Sequence, residues 1–266
     1  MVRLAHLLRA KGFQVNTWGL REGDGSPEAV ADALLFPYPY AVKGGTVPVL
    51  TGAPLCPEAI LQHAKEDALV LAGSGLENAV AEENRLGKRL RLLRYDQHEP
   101  FLQANADISA EAAVYEAMGL LEETVAGRTA LVTGYGRFGR ALARRLRLLG
   151  ADVWVAARRE EQRLNASADG MRALPPDCVP EIAPELSLVL NTVPARILSA
   201  RTLKRLPRNC VLLELASAPG GFDPAEADKA GLRTAYLPGL PARYAPQSAA
   251  KALMDACETL LTEGRT

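Results

Sequence analysis

Gly134, Gly136 and Gly139 stand at the spacing G-x-G-x-x-G, with Tyr135, Arg137 and Phe138 between them. They follow an apolar run at residues 130–133 and open a helical pattern, the context that turns a weak motif into a specific one. The chemistry served by this spacing is the holding of a pyrophosphate. The first glycine permits the tight turn, the second brings bare backbone up to the phosphates, and the third lets helix and strand approach closely. The phosphates then face the free N–H groups and positive end of the helix at residues 137–140. A glycine-rich turn without a ligand is the plain alternative, and strand, helix and second strand in this order weigh against it.

The next strand ends Ala156-Ala157-Arg158-Arg159, and its end decides which dinucleotide is bound. An acid there would accept from a ribose 2′-hydroxyl, whereas arginine forks onto a 2′-phosphate. Two arginines and no acid predict NADP in preference to NAD, with Arg158 as the better fork. Glu160 and Glu161 offer a competing use for both arginines, as partners in an ordinary helix-start cluster. Asn191-Thr192-Val193-Pro194 ends a later apolar run and Ala216-Ser217 the one after it, positions that border the nicotinamide and its ribose. Pro219-Gly220-Gly221 reads either as a surface turn or as bare amides for a ring or carboxylate. Arg243 is either a partner for a substrate carboxylate or an ordinary surface arginine.

Placing these groups requires an α/β fold with parallel sheets, and the sequence carries the alternation for it. Strands are predicted at residues 14–18, 33–36, 68–72, 90–95, 130–133, 152–156, 188–192, 211–216 and 234–236. Helices are predicted around Leu4, Leu7 and Leu8, with a stop at Lys11-Gly12, and at residues 57–64, 137–149 and 248–261. Residues 109–124 read as an amphipathic helix with Ser109 as its N-cap. The expected organisation is an N-terminal Rossmann-like substrate or partner domain over residues 1–108, then an interdomain helix and linker over 109–128. An NADP-binding Rossmann domain follows over 129–247, and a helix over 248–266 is expected to pack back across the junction.

The 31 basic and 31 acidic residues balance to a formal charge of zero, which argues against nucleic acid or an anionic membrane as partner. No apolar run is long enough to span a bilayer and no leader pattern opens the chain, so a cytoplasmic protein is expected. Cys56, Cys178, Cys210 and Cys257, like His6, His63 and His98, are scattered, so neither a metal site nor a disulfide framework is expected and buried thiols are.

Several segments together resemble the family of dipicolinate synthase A subunits in order and spacing. They are Pro37-Tyr38-Pro39, Asn105-Ala106 with Ser109-Ala110-Glu111, the loop from Gly134 to Gly139, Asn191-Thr192-Val193-Pro194, Ala216-Ser217-Ala218-Pro219-Gly220-Gly221, and Leu240-Pro241 with Ala245-Pro246. The resemblance runs over nearly all of the chain. It implies two Rossmann-like, doubly wound domains with a cleft between them, and NADP-linked oxidation of a dihydrodipicolinate-type ring to the aromatic pyridine dicarboxylate. It also implies that the partner is the flavoprotein-like B subunit of dipicolinate synthase, in sporulating bacteria; a homo-oligomer is expected as well.

In that setting the substrate carboxylates are expected at the Gly220-Gly221 amides and at Asn105, Ser109 or Arg243. Glu111 is the expected base for the proton released as the ring becomes aromatic. Glu111 reads equally well as a first-turn acid that complements the helix dipole. The sequence departs from the family in starting inside its first helix, so the first strand is expected to be missing. It also reads Ile108-Ser109-Ala110-Glu111-Ala112 for Pro-Thr-Ala-Glu-Gly, carries Glu214 where the family has Asp, and has Leu240-Pro241-Ala242 for Leu-Pro-Gly. Two other functions stay open: an NADP-binding but catalytically idle protein that partners or regulates another chain, and a related dehydrogenase acting on another small acid.

Overall fold

Leu4, Ala5 and Leu8 fall on one face of the first helix, α1 (Val2–Ala10), and are buried, while Leu7 lies at its edge. The helix stops where Gly12 takes φ +88° and the Gly12 and Phe13 amides turn back to the Arg9 and Leu8 carbonyls. In this computed structural model, residues 1–26 and 29–264 are described. They divide into two units, Met1–Ala104 with Pro246–Thr266, and Asn105–Ala245.

Unit 1 carries a parallel sheet in the order β1 (Ala31–Leu35), β2 (Ala64–Ala72), β3 (Arg91–Arg94), with α2 (Pro57–Leu61) and α3 (Glu77–Arg85) in the connections. The strand predicted at residues 14–18 does not form. The Val15 carbonyl that a neighbouring strand would use accepts instead from the Arg9 guanidinium at 2.7 Å. Leu69 and Leu71 of β2 meet Leu4, Leu8, Tyr95 and Phe101, and Leu253, Met254 and Leu260 of the last helix, α11 (Pro246–Glu263), in one core. Of the four thiols, Cys210 and Cys257 are buried, Cys178 is half-buried and Cys56 is exposed, so the expectation of buried thiols holds for two.

The helix predicted to start at Ser109 starts ten residues earlier: α4 runs Glu99–Leu120. Pro100 fits its first turn, where no backbone donor is needed. Ser109 is therefore not an N-cap; its hydroxyl donates to the Asn105 carbonyl at 2.7 Å, one turn back inside the helix.

Unit 2 continues with β4 (Thr129–Thr133), α5 (Arg137–Leu148), β5 (Asp152–Ala156), α6 (Glu160–Ala168) and β6 (Arg172–Leu174). After α7 (Val179–Ile182) come β7 (Leu188–Asn191), α8 (Ala200–Leu203), β8 (Val211–Glu214), α9 (Pro224–Lys229), β9 (Arg233–Tyr236) and α10 (Leu240–Tyr244). All six strands are parallel, in the order β6-β5-β4-β7-β8-β9. Side chains alternate across this sheet. Ala130, Val132, Leu188, Leu190, Val211 and Leu213 join one core with Leu142 and Leu146 of α5. Leu131, Val189 and Leu212 join another with Leu203, Leu206 and Phe222. Burial on both faces is why these strands read as continuous apolar runs. Residues 239–246, read from sequence as a loop, contain α10.

Candidate functional site

The sheet order of unit 2 runs outward from β4 in one direction and from β7 in the other, so the topological switch point lies between their carboxyl ends. Ligands of open α/β sheets bind outside that point. The glycine loop leaves β4 there, and Thr192-Val193 leaves β7 there. Gly134 turns with φ +83°, its amide donates to the Ala156 carbonyl at 2.8 Å, and a Cβ on it would lie 2.7 Å from Val193 Cγ2. A Cβ on Gly139 would stand 2.3 Å from the Gly134 carbonyl oxygen, so helix and strand approach too closely for any side chain. Gly136 differs. It is the N-cap of α5 at φ −78°, and a Cβ there would meet nothing within 4 Å. The protein's own packing does not require glycine at 136; a backbone that must lie against a pyrophosphate does. No side chain caps α5 and no acid sits in its first turn, so the donors at that end are left for an anion.

Tyr135, between the first two glycines, turns its ring into the core rather than toward the loop's open side. Its hydroxyl donates to Asp169 at 2.6 Å, and the same carboxylate accepts from Arg140 Nε at 3.1 Å and Arg144 Nη2 at 2.9 Å. Burial pushes the phenol up, and the Asp169 carboxylate reinforces it. Asp169 is held well below the ordinary carboxylate range, first by Arg144 and then by Tyr135 and Arg140. Only the backbone of Tyr135 is therefore available to a cofactor. Asp169, at the end of α6, ties that element to the loop and to the first turn of α5. Sequence reasoning missed it, because nothing in the spacing pairs it with Tyr135.

Arg158 and Arg159 are exposed where β5 ends, and Arg159 is the N-cap of α6. Glu160 and Glu161 do not take them up: among the described residues neither arginine makes a side-chain ion pair. The loop carrying them is fixed from behind by Arg163, whose guanidinium donates to the Ala157 and Arg158 carbonyls at 2.9 and 2.7 Å.

The ends of β7 and β8 are built in the opposite way. Asn191 is fully buried. It accepts from the Thr133 hydroxyl and donates to the Val193 carbonyl at 2.9 Å and to Glu214 Oε1 at 2.6 Å. Glu214, also buried, accepts further from the Ala216 amide at 3.0 Å and the Gly221 amide at 2.7 Å. Thr192 donates its hydroxyl to the Thr133 carbonyl at 2.6 Å. The Gly220 amide turns to the Ser217 carbonyl at 3.1 Å. This corrects the expectation for Gly220 and Gly221, because both amides are already used inside the protein and neither is left for a substrate carboxylate. Asn191, likewise, serves as a buried brace. Val193, Pro194, Ser217 and Pro219 line the outer path of these loops, and Ala216 is buried beneath it.

Asn105, Ser109 and Glu111 all lie on α4, but not on one side of it. Ser109 is buried with its hydroxyl used. Glu111, about 200° further round the helix, is exposed. Glu111 is mid-helix rather than in a first turn, so a dipole-complementing role does not apply. Arg243 is exposed in α10 with no ion pair among the described residues. Among the described residues no group of acids, histidines or cysteines is arranged to hold a metal, and no helix is long and apolar enough to cross a membrane.

Residues 99–219 match the family described as D-isomer specific 2-hydroxyacid dehydrogenase, NAD binding domain, a stretch that covers α4, the glycine loop, Asn191 and Glu214. The chain is also 30% identical over 190 residues to the dipicolinate synthase A subunit of Bacillus subtilis. Over that stretch the chain is similar to a dipicolinate synthase A subunit. The aligned stretch covers 71% of this chain and 64% of the Bacillus subtilis protein. The folds agree over more than that. The crystal structure of the dipicolinate synthase A subunit from Bacillus halodurans superposes with a TM-score of 0.84 over 98% of this chain and 94% of that one, at 24% identity. The A chain from Bacillus subtilis does so with a TM-score of 0.83 over 100% and 94%, at 23% identity. The matched domain is, by that description, the NAD-binding domain of a dehydrogenase family, and the matched residues include the glycine loop described above.

Proposed function

We propose that this chain, like the dipicolinate synthase A subunits it resembles, oxidises a dihydrodipicolinate-type dicarboxylate using NADP. The observation that carries the cofactor choice is the pair Arg158 and Arg159, without ion pairs among the described residues, on a loop whose backbone Arg163 holds at the end of β5. The pyrophosphate would lie on the backbone of residues 134–139, with the 2′-phosphate against Arg158. Bound there, the nicotinamide supplies a two-electron acceptor for a hydride. As the ring becomes aromatic it also loses one proton, and Glu111 is the exposed carboxylate of α4 assigned to take it. Arg243 is the cation assigned to a substrate carboxylate. The proposed partner is a flavoprotein-like B subunit.

The test is calorimetric titration with NADPH and NADH, followed by turnover with and without that partner. NADPH should bind more tightly than NADH, and turnover should appear; Glu111→Gln should slow it by about a hundredfold or more and remove the acid limb of its pH profile. Equal affinities would refute the NADP assignment. Binding without turnover in either condition would favour a second reading, a cofactor-binding chain that is itself idle. The internal use of the Gly220 and Gly221 amides and of the Ser109 hydroxyl favours that reading, since it leaves few groups to hold a substrate.

A further inference from the structure

Glu214 is buried with no cation against it among the described residues, and three donors from three places in the chain converge on its carboxylate. These are the Asn191 side-chain amide at 2.6 Å, the Ala216 amide at 3.0 Å and the Gly221 amide at 2.7 Å. Each leads elsewhere. Asn191 continues to the Val193 carbonyl at 2.9 Å and to the Thr133 hydroxyl at the end of β4. The Gly221 carbonyl accepts from the Ile197 and Leu198 amides, each at 2.9 Å, which closes the loop after β8 onto the loop after β7. There is no slack in this contact, since a Cβ on Gly221 would lie 2.3 Å from the Asn191 side-chain amide carbon. One carboxylate therefore fixes the backbone path of both loops on the β7 side of the switch point. The glycine loop and the arginines, on the β4 and β5 side, depend on Asp169 and Arg163 instead.

We infer that Glu214 is a positioning residue for the nicotinamide half of the cofactor: it braces the loops after β7 and β8, while the phosphate half has anchors of its own in Asp169 and Arg163. This rests on the cofactor reading proposed above. A glutamine at 214 would keep the shape but turn its NH2 either toward the Gly221 amide or toward the Asn191 and Ala216 donors, and a buried donor facing a donor forces groups apart. The loops should then move while the glycine loop stays. The two halves meet in hydrogen bonds at Thr133, the residue before the glycine loop, but otherwise rest on different side-chain anchors, so the effects should differ in size.

The experiment is calorimetric titration of the full chain and its Glu214→Gln and Glu214→Asp variants with NADPH and with 2′,5′-ADP, which lacks the nicotinamide. In Glu214→Gln the affinity for 2′,5′-ADP should stay within about twofold of the parent. NADPH should lose about tenfold, and any turnover about a hundredfold, the cost of roughly 1 Å of misplacement. Glu214→Asp, which keeps two acceptor oxygens, should recover part of both. Equal loss for both ligands would show a general loss of fold and overturn the inference. So would a Glu214→Gln variant indistinguishable from the parent, or a Glu214→Asp variant no better than Glu214→Gln. A parent chain that binds neither ligand would instead refute the cofactor reading itself, and this assignment with it.

Discussion

On one side of the switch point the backbone is left open, and on the other it is used up. After β4 and β5, the first turn of α5 has no capping side chain, Gly136 has free space at its Cβ position, and two arginines stand without ion-pair partners among the described residues. After β7 and β8, the amides of Ala216, Gly220 and Gly221 and the side chains of Asn191 and Glu214 are taken up by hydrogen bonds within the protein, with Asn191 reaching back to Thr133 at the end of β4. The first arrangement is suited to a charged ligand, because it offers unsatisfied donors. The second can act only through shape, as a wall whose position is set from behind. Two halves of one dinucleotide, one anionic and one a flat ring, call for these two kinds of surface.

The comparison breaks most sharply at the glycines. Gly139→Ala should destabilise the protein by about 3 kcal/mol or more, because the Gly134 carbonyl cannot yield without moving β4. Gly136→Ala should stay within about 0.5 kcal/mol in stability yet weaken NADPH binding roughly tenfold. Thermal melting with and without cofactor distinguishes the two, and a Gly136→Ala chain that binds normally would remove the pyrophosphate from this loop. Next in size is Arg158→Ala, which should cost NADPH about ten- to a hundredfold in affinity and leave NADH unchanged.

The smallest effect tests the anchor of the open side. Tyr135→Phe removes one hydrogen bond to Asp169 and should cost about 1 kcal/mol at neutral pH. Asp169 has its folded pKa depressed, so its contribution is complete above the unfolded carboxylate value, about pH 4, and is lost as pH falls from there toward the depressed value. The stability gap between Tyr135→Phe and the parent should therefore be full above about pH 4 and close below it. Chemical denaturation across that range measures the gap; a gap that does not change with pH would mean the hydroxyl acts through packing alone.

How much of this was legible in the sequence follows from how far each interaction reaches along the chain. The unit β4, glycine loop, α5 and β5 lay within a residue or so of its predicted bounds, because turn, helix opening and close packing are all encoded within a few residues. The start of α4 was placed at Ser109, since a serine before an apolar run looks the same whether it caps a helix or bonds back one turn inside it. β6 went unseen because three residues carry no period. Asp169 and Glu214 were invisible as anchors for a different reason. Their partners are brought to them only by the sheet order, from 34 residues away for Tyr135 and 23 for Asn191. The turn at Gly220-Gly221 was recognised, but not that its amides face inward.

The two-sided burial of β4 and β7 has a consequence in time as well as in space. Strands clothed on both faces at the middle of a sheet open only when the whole unit opens, so their amide protons should be among the last in unit 2 to exchange with deuterium. The glycine loop is thus hung from the part of its unit expected to open last.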